Sequence, residues 1–183
     1  MRVISGKLKG RTIEGYDILG TRPTMDRVKE AIFSMIRPHL KDSVCLDLFC
    51  GSGSLGIEAV SNGAFLCYFV DNNKEAIKVV NKTISKFDIS NNSVVINSDY
   101  LSFLENAPSK FDVIFLDPPY DKSYLNGILE YISTSTILKK DGIIVVEYTK
   151  EKLKNNYNDL FLYTTRRYGI ASVSLYKMDK MQT

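Results

Sequence analysis

The chain has 183 residues, of which 44% are hydrophobic and 25% charged, with 24 Lys and Arg against 21 Asp and Glu. This length and composition fit one folded domain and are too apolar for a disordered chain. One His and three Cys argue against a zinc site and a disulfide scaffold, so no metal is expected. No stretch resembles a signal peptide or approaches the roughly 18 apolar residues of a membrane span. The sequence predicts a cytoplasmic protein with no membrane partner.

The positive charge is concentrated at the amino end. Residues 1–43 contain nine Lys and Arg against five Asp and Glu, a net charge of +4, whereas residues 44–183 contain 15 against 16, a net charge of −1. A basic segment before a neutral body is typical of an arm that binds a polyanion, although a solvated basic hairpin would have the same composition. We expect residues 1–43 to form an extension, a hairpin followed by a helix, that packs on a core domain of residues 44–183.

In chain order, segments 2–5 and 10–14 predict a short hairpin, and a helix with Thr24 as its N-cap follows and ends near Pro38. From Val44 onward, short apolar runs alternate with segments of helical periodicity, the pattern of βαβ units in a parallel sheet. The predicted strands are 44–49, 65–70, 94–96, 111–116 and 142–148, and the predicted helices are 54–61, 74–87 and 125–137.

The last segments of the chain follow another pattern. Strand-like segments 160–167 and 170–177 are joined only by Tyr168-Gly169, a link too short for a crossover helix, so they predict an antiparallel hairpin. The Asn-rich stretch 155–158 predicts an exposed loop. The expected fold class is therefore an α/β sheet, mostly parallel, with an antiparallel hairpin at its carboxy-terminal edge.

A glycine loop, Gly51-Ser52-Gly53-Ser54-Leu55-Gly56, follows the predicted strand 44–49. It matches the three-glycine fingerprint of dinucleotide sites, and Asp71 stands 20 residues after Gly51, where such sites place a ribose-binding acid. An NAD-dependent oxidoreductase is therefore one interpretation. Asp47 favours another, because a carboxylate before the loop would repel a diphosphate but would suit the ammonium and sulfonium of S-adenosylmethionine (SAM).

Acidic residues end three successive predicted strands, at the edge where open α/β sheets bind ligands. We expect Asp47 near the methionine end of the cofactor, Asp71 near the ribose and Asp99 near the adenine. The predicted cofactor-binding residues are Asp47, Phe49, Gly51, Ser52, Gly53, Asp71, Asn72, Asp99 and Tyr100.

The stretch Asp117-Pro118-Pro119-Tyr120 ends the predicted strand 111–116 and forms the predicted catalytic site. Asp117 and the Pro118 carbonyl can accept hydrogen bonds from the two N–H groups of an exocyclic amine, which turns the lone pair of the nitrogen toward a methyl donor. The prolines fix the loop and remove N–H donors, and Tyr120 can stack on a base. Because a sulfonium is already activated, positioning supplies most of the catalysis.

The order of residues 47–53 and then 117–120 resembles class I methyltransferases that act on exocyclic amines. Residues 2–6, 10–11 and 22–24 narrow the resemblance to the RsmD family, bacterial methyltransferases of guanine N2 in 16S ribosomal RNA, and the likeness extends over nearly the whole chain. The resemblance implies a Rossmann-like class I methyltransferase fold, SAM as cofactor and S-adenosylhomocysteine (SAH) as product.

The resemblance also implies a substrate, 16S rRNA, either naked or within a 30S assembly intermediate, and we expect the protein to act as a monomer. The motif at 117–120 alone would also fit a DNA adenine-N6 or cytosine-N4 methyltransferase, and a non-catalytic SAM-sensing RNA-binding module is a further alternative. The side chains expected to contact RNA are Arg2, Lys7, Lys9, Arg11, Arg22, Thr24 and Arg27.

Overall fold

The computed structural model describes residues 1–15, 26–119 and 122–178. Arg22, Thr24 and Tyr120, three of the predicted site residues, lie outside the described residues. Within these ranges the α-helices are Asp26–Ile36 (α1), Ser54–Ser61 (α2), Lys74–Phe87 (α3), Tyr100–Glu105 (α4) and Leu125–Thr134 (α5). The strands are Val44–Asp47 (β1), Leu66–Asp71 (β2), Ser93–Asn97 (β3), Phe111–Leu116 (β4), Leu138–Tyr148 (β5), Asn156–Tyr157 (β6), Leu160–Tyr168 (β7) and Ala171–Met178 (β8).

All eight strands belong to one sheet, in the order β3-β2-β1-β4-β5-β8-β7-β6. Strands β1 to β5 are parallel, whereas β8 runs antiparallel to both β5 and β7. The predicted fold class is confirmed. Strand order reverses between β1 and β4, and the carboxyl ends of the strands at such a reversal form the crevice where open α/β sheets bind ligands.

Helices cover both faces of the sheet, α1 to α3 on one face and α4 with α5 on the other. The ring of Phe33 in α1 lies 5.7 Å from that of Phe115 in β4, and Ile128 and Leu129 of α5 are buried against the opposite face. Burial on both faces explains why the central strands are nearly continuous apolar runs. Among the described residues, no helix is long and apolar enough to span a membrane.

Local hydrogen bonds explain where the predicted helices begin and end. The Asn73 side chain accepts from the Glu75 amide at 2.8 Å and caps α3, whose predicted bounds are confirmed. Helix α5 ends at Thr134, three residues earlier than predicted, because the hydroxyls of Ser133 and Ser135 bond back to carbonyls of the last turns, a competition with the helix that serine often provides.

Two further features differ from the sequence prediction. Helix α4 was not predicted, since it has only six residues. The predicted exposed loop at 155–158 is wrong for Tyr157, which is 1% exposed. Its hydroxyl donates to Asn126 Oδ1 at 2.6 Å and accepts from the Lys154 amide at 2.9 Å. The polar residues on either side of Tyr157 predict exposure, but its own side chain is buried and holds this segment to the core.

Residues 1–15, called the arm below, form the predicted hairpin in shortened form. A single bridge joins Arg2 to Thr12, and a 3₁₀ turn covers Gly6–Leu8. The strands are shorter than predicted because the amides of Ile4 and Ser5 bond instead to the Glu58 carboxylate of α2, at 2.8–3.1 Å.

A buried ion pair joins the arm to two helices. Lys29 Nζ of α1 lies 3.0 Å from Glu58 Oε2, and both side chains are 0% exposed; Lys29 also donates to the Arg2 carbonyl at 2.8 Å. Gly6, with φ +76°, approaches α2 so closely that a Cβ would lie 2.0 Å from the Ser61 carbonyl oxygen. The arm is therefore fixed against α2, the helix that begins at the glycine loop.

Candidate active site

The glycine loop, residues 51–56, leads the chain from β1 into α2. Gly51 and Gly53 have φ values of +51° and +78°, which glycine adopts without steric cost. Among the described residues, no atom lies within 4 Å of the position of a Cβ on Gly51. The backbone at Gly51 is thus open to close approach by a ligand, whereas Gly53 and Gly56 pack against protein side chains.

Asp47 ends β1 beneath this loop and is 2% exposed. Its Oδ2 accepts from the Gly56 amide at 2.9 Å. Burial raises the pKa of Asp47 to about 7; the Gly56 hydrogen bond opposes that rise, and the negative charge of Asp71 adds to it. A buried carboxylate of this kind is stabilised in its ionised form by a cation placed beside it.

Asp71 ends β2, the neighbour of β1, and its carboxylate is tied to the loop. Oδ2 accepts from the Gly51 amide and Oδ1 from the Asn73 amide, both at 2.9 Å. Phe69 pairs with Asp47 across the two strands, so Asp71 stands two residues further toward the carboxyl edge. Asn72 follows it and is exposed.

Asp99 follows β3 and caps α4. Its Oδ1 accepts from the amides of Leu101 and Ser102 at 3.1 and 3.0 Å, and the preceding Ser98 amide donates to the Asp71 carbonyl at 3.1 Å. The structure therefore brings the three predicted acids, at the ends of β1, β2 and β3, to the same edge of the sheet.

Three aromatic rings meet at this edge. Phe49 lies 5.6 Å from Tyr100 and 6.1 Å from Tyr124 between ring centroids, the latter pair nearly parallel at 7°, and the two tyrosines are 5.0 Å apart. Phe49 and Tyr100 were predicted as cofactor-binding residues, whereas Tyr124 was not. Its position immediately before α5, close after the motif at 117–120, is the signal that could have identified it.

Asp117, Pro118 and Pro119 follow β4 directly and are half-buried, buried and exposed, respectively. Strand β4 pairs with β1, with Phe115 opposite Asp47, and the Leu48 amide donates to the Phe115 carbonyl at 3.2 Å. Asp117 therefore stands two residues beyond the level of Asp47 on the adjacent strand. The two motifs, 70 residues apart in sequence, end neighbouring strands.

The glycine loop also contains two serines, Ser52 and Ser54, and both are buried. Ser52 was predicted as a cofactor-binding residue. Ser54, which was not, opens α2, and its hydroxyl has no hydrogen-bond partner within the described part of the chain. A buried hydroxyl without a partner is costly, so Ser54 is a further candidate to bond a ligand. No group of three potential metal ligands occurs among the described residues.

Two of the predicted RNA-contacting arginines also bond within the protein. Arg2 Nε lies 2.8 Å from the Asp26 carboxylate. The Arg11 guanidinium donates to the carbonyls of Lys86 and Phe87 at the end of α3, at 2.7 and 3.3 Å, and stacks 4.2 Å over the Phe87 ring. Arg11 thus also secures the arm. The other described residues of this set, all exposed, are Lys7, Lys9 and Arg27.

Comparison with known proteins agrees with this architecture. The family described as conserved hypothetical protein 95 matches residues 1–177. YlbH of Bacillus subtilis is 40% identical over 181 residues, covering 97% of this chain and 98% of that protein. Ribosomal RNA small subunit methyltransferase D of Haemophilus influenzae is 34% identical over 180 residues, covering 97% and 93%. Among solved structures, yhhF of Escherichia coli, described as a candidate methyltransferase, gives a TM-score of 0.88 at 27% identity and covers 98% of both chains.

In this chain the antiparallel strand β8 lies between β5 and β7, and the glycine loop after Asp47 lies at the switch point of the parallel strands. The overall fold is shared with yhhF, and the named relatives are methyltransferases, so the chain is an α/β methyltransferase. The sequence similarity also extends over the arm and over the hairpin formed by β7 and β8. The chain belongs to the RsmD family.

Proposed function

We propose that this protein transfers the methyl group of SAM to the exocyclic N2 amine of a guanine in 16S ribosomal RNA. The substrate class is supported by relatives from Haemophilus influenzae and Escherichia coli that bear the name ribosomal RNA small subunit methyltransferase D. The reaction type rests on one observation, the pairing of β1 with β4. That pairing sets the Asp47 loop beside Asp117 and Pro118.

The residues of the loop fit SAM better than a dinucleotide. Asp47 and Asp71 bring negative charge to the loop, and Asp47 is desolvated, so a diphosphate would be repelled and a cation attracted. Among the described residues, nothing fills the space at Gly51 and nothing bonds the Ser54 hydroxyl, which leaves room and a donor for a ligand. In the proposal Asp47 faces the ammonium and Asp71 the ribose.

The adenine end of the cofactor is assigned to the edge formed by β3 and α4. Asp99 uses Oδ1 to cap α4, and Tyr100, Phe49 and Tyr124 form an aromatic wall next to it. A planar ring gains from packing on aromatic faces. We therefore assign Asp99, Asn72 and this wall to the adenosine half of the cofactor.

Bound SAM supplies a methyl group already activated by the sulfonium charge. The chain has to position the amine, whose lone pair is delocalised into the guanine ring. Asp117 and the Pro118 carbonyl accept hydrogen bonds from its two N–H groups and redirect the lone pair toward the methyl group, while Pro119 stiffens the loop. As the nitrogen–methyl bond forms and the methyl–sulfur bond breaks, the nitrogen becomes cationic, and one of its protons passes to Asp117 and then to solvent. Tyr120 stacks on the base. This arrangement reads an amine edge and a ring face together, so the guanine must be unpaired or flipped out of a helix.

In the proposal, the amino-terminal part of the protein binds the RNA. Residues 1–43 form a basic extension packed on the SAM-dependent methyltransferase domain of residues 44–183. Lys7, Lys9 and Arg27 contact RNA, together with Arg2, Arg11, Arg22 and Thr24. We propose that the protein works in the cytoplasm as a monomer, on naked rRNA or on a 30S assembly intermediate.

Methyl transfer from labelled SAM tests the function directly. The acceptors are 16S rRNA and 30S particles from a strain lacking this gene, with duplex DNA as the alternative substrate. We expect label in RNA and none in DNA; label in DNA alone would favour the adenine-N6 or cytosine-N4 alternative. Asp117→Ala should lower the rate about 10²-fold or more while calorimetry shows SAH binding retained. Unchanged methylation by Asp117→Ala would contradict the assigned role.

A further inference from the structure

The turn between β7 and β8 lies at the same edge of the sheet as the candidate active site. Leu116 of β4 pairs with Val146 of β5, so Pro118 is level with Tyr148, two residues further along. Tyr148 pairs with Ser172 of β8, and Ser172 pairs with Arg167 of β7. Pro118, Tyr148, Ser172 and Arg167 thus form one row across four adjacent strands.

The spacing along this row separates the turn from the target base. Adjacent strands are about 4.8 Å apart, so three steps place the Arg167 backbone roughly 14 Å from that of Pro118. An arginine at that distance cannot reach an amine held at Asp117. It is placed instead for a nucleotide that flanks the target on the same strand of RNA.

The chemistry of the turn suits such a strand. Arg166 and Arg167 are both exposed, and within the described ranges neither forms an ion pair. Arg167 Nε donates to the carbonyl of Gly169, at 3.1 Å, in the same turn. Ile170 at the tip is 64% exposed, beside the half-buried ring of Tyr168. Two cations and an apolar tip match the phosphates and base faces of single-stranded RNA.

We propose that residues Arg166–Ile170, the β7–β8 tip, bind the RNA strand next to the target guanine. Arg166 and Arg167 contact backbone phosphates, and Ile170 packs against the face of a flanking base. The tip would then set which unpaired strand enters the site, from the side opposite the cofactor strands β2 and β3. This inference rests on the proposed rRNA methyltransferase function.

The test measures binding of that rRNA, in the form the wild-type protein methylates, from about 50 to 200 mM salt. The double variant Arg166→Gln/Arg167→Gln should weaken binding about tenfold at low salt and reduce the slope of log K against log salt by about 1.4, the value for two single-strand phosphates. Ile170→Ser should weaken binding without changing that slope. SAH affinity should be unchanged in both variants.

Matched controls lie at the opposite, amino edge of the sheet. Lys110→Gln/Lys140→Gln also removes two exposed charges, and Phe65→Ser removes an apolar side chain that is 65% exposed. Neither control should change RNA binding. An equal loss of affinity in the tip and control variants would overturn the proposal, since it would reflect net charge alone.

The remaining outcomes separate this inference from the function on which it rests. If the wild-type protein methylates rRNA and the tip variants bind it as tightly as wild type, the tip proposal is wrong and the function stands. If the tip variants lose binding to 30S particles but not to naked rRNA, the tip contacts a ribosomal protein, which also overturns the RNA assignment. Absence of RNA methylation by the wild-type protein would refute the function itself.

Discussion

Asp47 combines a charged side chain with nearly complete burial. It is buried away from solvent, and its carboxylate accepts a hydrogen bond from the Gly56 amide. An apolar residue would fill the same place at lower cost. Retaining a carboxylate there is reasonable when a bound cation compensates for the desolvation, which is the role proposed for the SAM ammonium.

The pH dependence of stability tests this interpretation at the same residue. The pKa of Asp47 is raised from 3.8 to about 7 in the folded protein, so the folded state holds the proton more tightly than the unfolded chain. The contribution that protonated Asp47 makes to the unfolding free energy is fully present below about pH 3.8 and is lost as pH rises through about 7. The unfolding free energy of wild type minus that of Asp47→Asn should therefore fall between pH 5 and pH 8, measured by urea denaturation.

Ligand binding should show the opposite trend at the same position. The ammonium of SAH favours ionised Asp47. The affinity of SAH for the wild-type protein should therefore rise as pH increases through about 7, and below that pH binding should release the Asp47 proton. Calorimetry of SAH in buffers of different ionisation enthalpy measures both effects. An Asp47→Asn variant with the same affinity and the same proton release as wild type would rule out this role.

At the scale of elements, α2 links the cofactor loop to the basic arm. Its first turn carries the buried Ser54 hydroxyl, its centre carries Glu58, and its end contacts Gly6. Glu58 joins four donors, the amides of Ile4 and Ser5, the Ser5 hydroxyl and Lys29. The arm is thus held on the helix that begins at the cofactor loop.

Removing Glu58 should therefore be costly. Glu58→Ala removes the carboxylate partner of the buried Lys29 ammonium and of two part-buried amides, and we expect a loss of about 3–5 kcal/mol in unfolding free energy. Glu75→Ala breaks the exposed Lys78–Glu75 pair (72% and 68% exposed) and should cost less than about 1 kcal/mol. Denaturant titration measures both. The double change Lys29→Met/Glu58→Leu should recover part of the loss; similar small costs for all three variants would contradict a shared buried pair.

Gly6 and Gly10 provide a controlled pair for the contact between arm and helix. Both have positive φ, +76° and +85°, but a Cβ on Gly6 would overlap the Ser61 carbonyl, whereas a Cβ on Gly10 meets no described atom within 4 Å. Gly6→Ala should destabilise the protein by about 1–3 kcal/mol more than Gly10→Ala. Limited proteolysis should also cut the arm faster in Gly6→Ala. Equal effects would show that backbone conformation alone matters there.

The predictions from sequence were most accurate where the local signals and the tertiary structure agree. Helices α2 and α3 and strand β4 were predicted with their observed bounds, because a glycine turn, the Asn73 cap and a clear apolar run define them. Helix α4 was not predicted because its six residues are too few to show helical periodicity. Tyr157 was missed because its partners, Asn126 and Tyr176, are distant in sequence.

In the candidate site, too, local sequence signals predicted some residues, and tertiary contacts revealed others. The spacing of acids and glycines placed Asp47, Asp71, Asp99 and Asp117 at strand ends, and parallel pairing then brings such ends together. Tyr124 lies close after the motif at 117–120 and Ser54 lies within the glycine loop, but the ring contacts of Tyr124 and the burial of the Ser54 hydroxyl depend on the packed structure. The second role of Arg11 depends on the end of α3, 75 residues away, which no local pattern encodes.

At the scale of the whole molecule, the mild net charge of +3 conceals an asymmetric distribution. The described cations proposed to meet RNA are on the arm, at the start of α1 and on the β7–β8 tip, whereas the acids gather at the ends of β1, β2 and β4. Such a division suits a protein that binds a cationic cofactor at the carboxyl edge of its sheet and a polyanionic substrate through separate basic surfaces.

The central claim, N2 methylation of a guanine in 16S rRNA, is tested most directly by mass spectrometry of nucleosides from that rRNA. In a strain lacking this gene, the account predicts the loss of one N2-methylguanosine, restored by the wild-type gene and not by Asp117→Ala. An unchanged level of N2-methylguanosine in the deletion strain would contradict it.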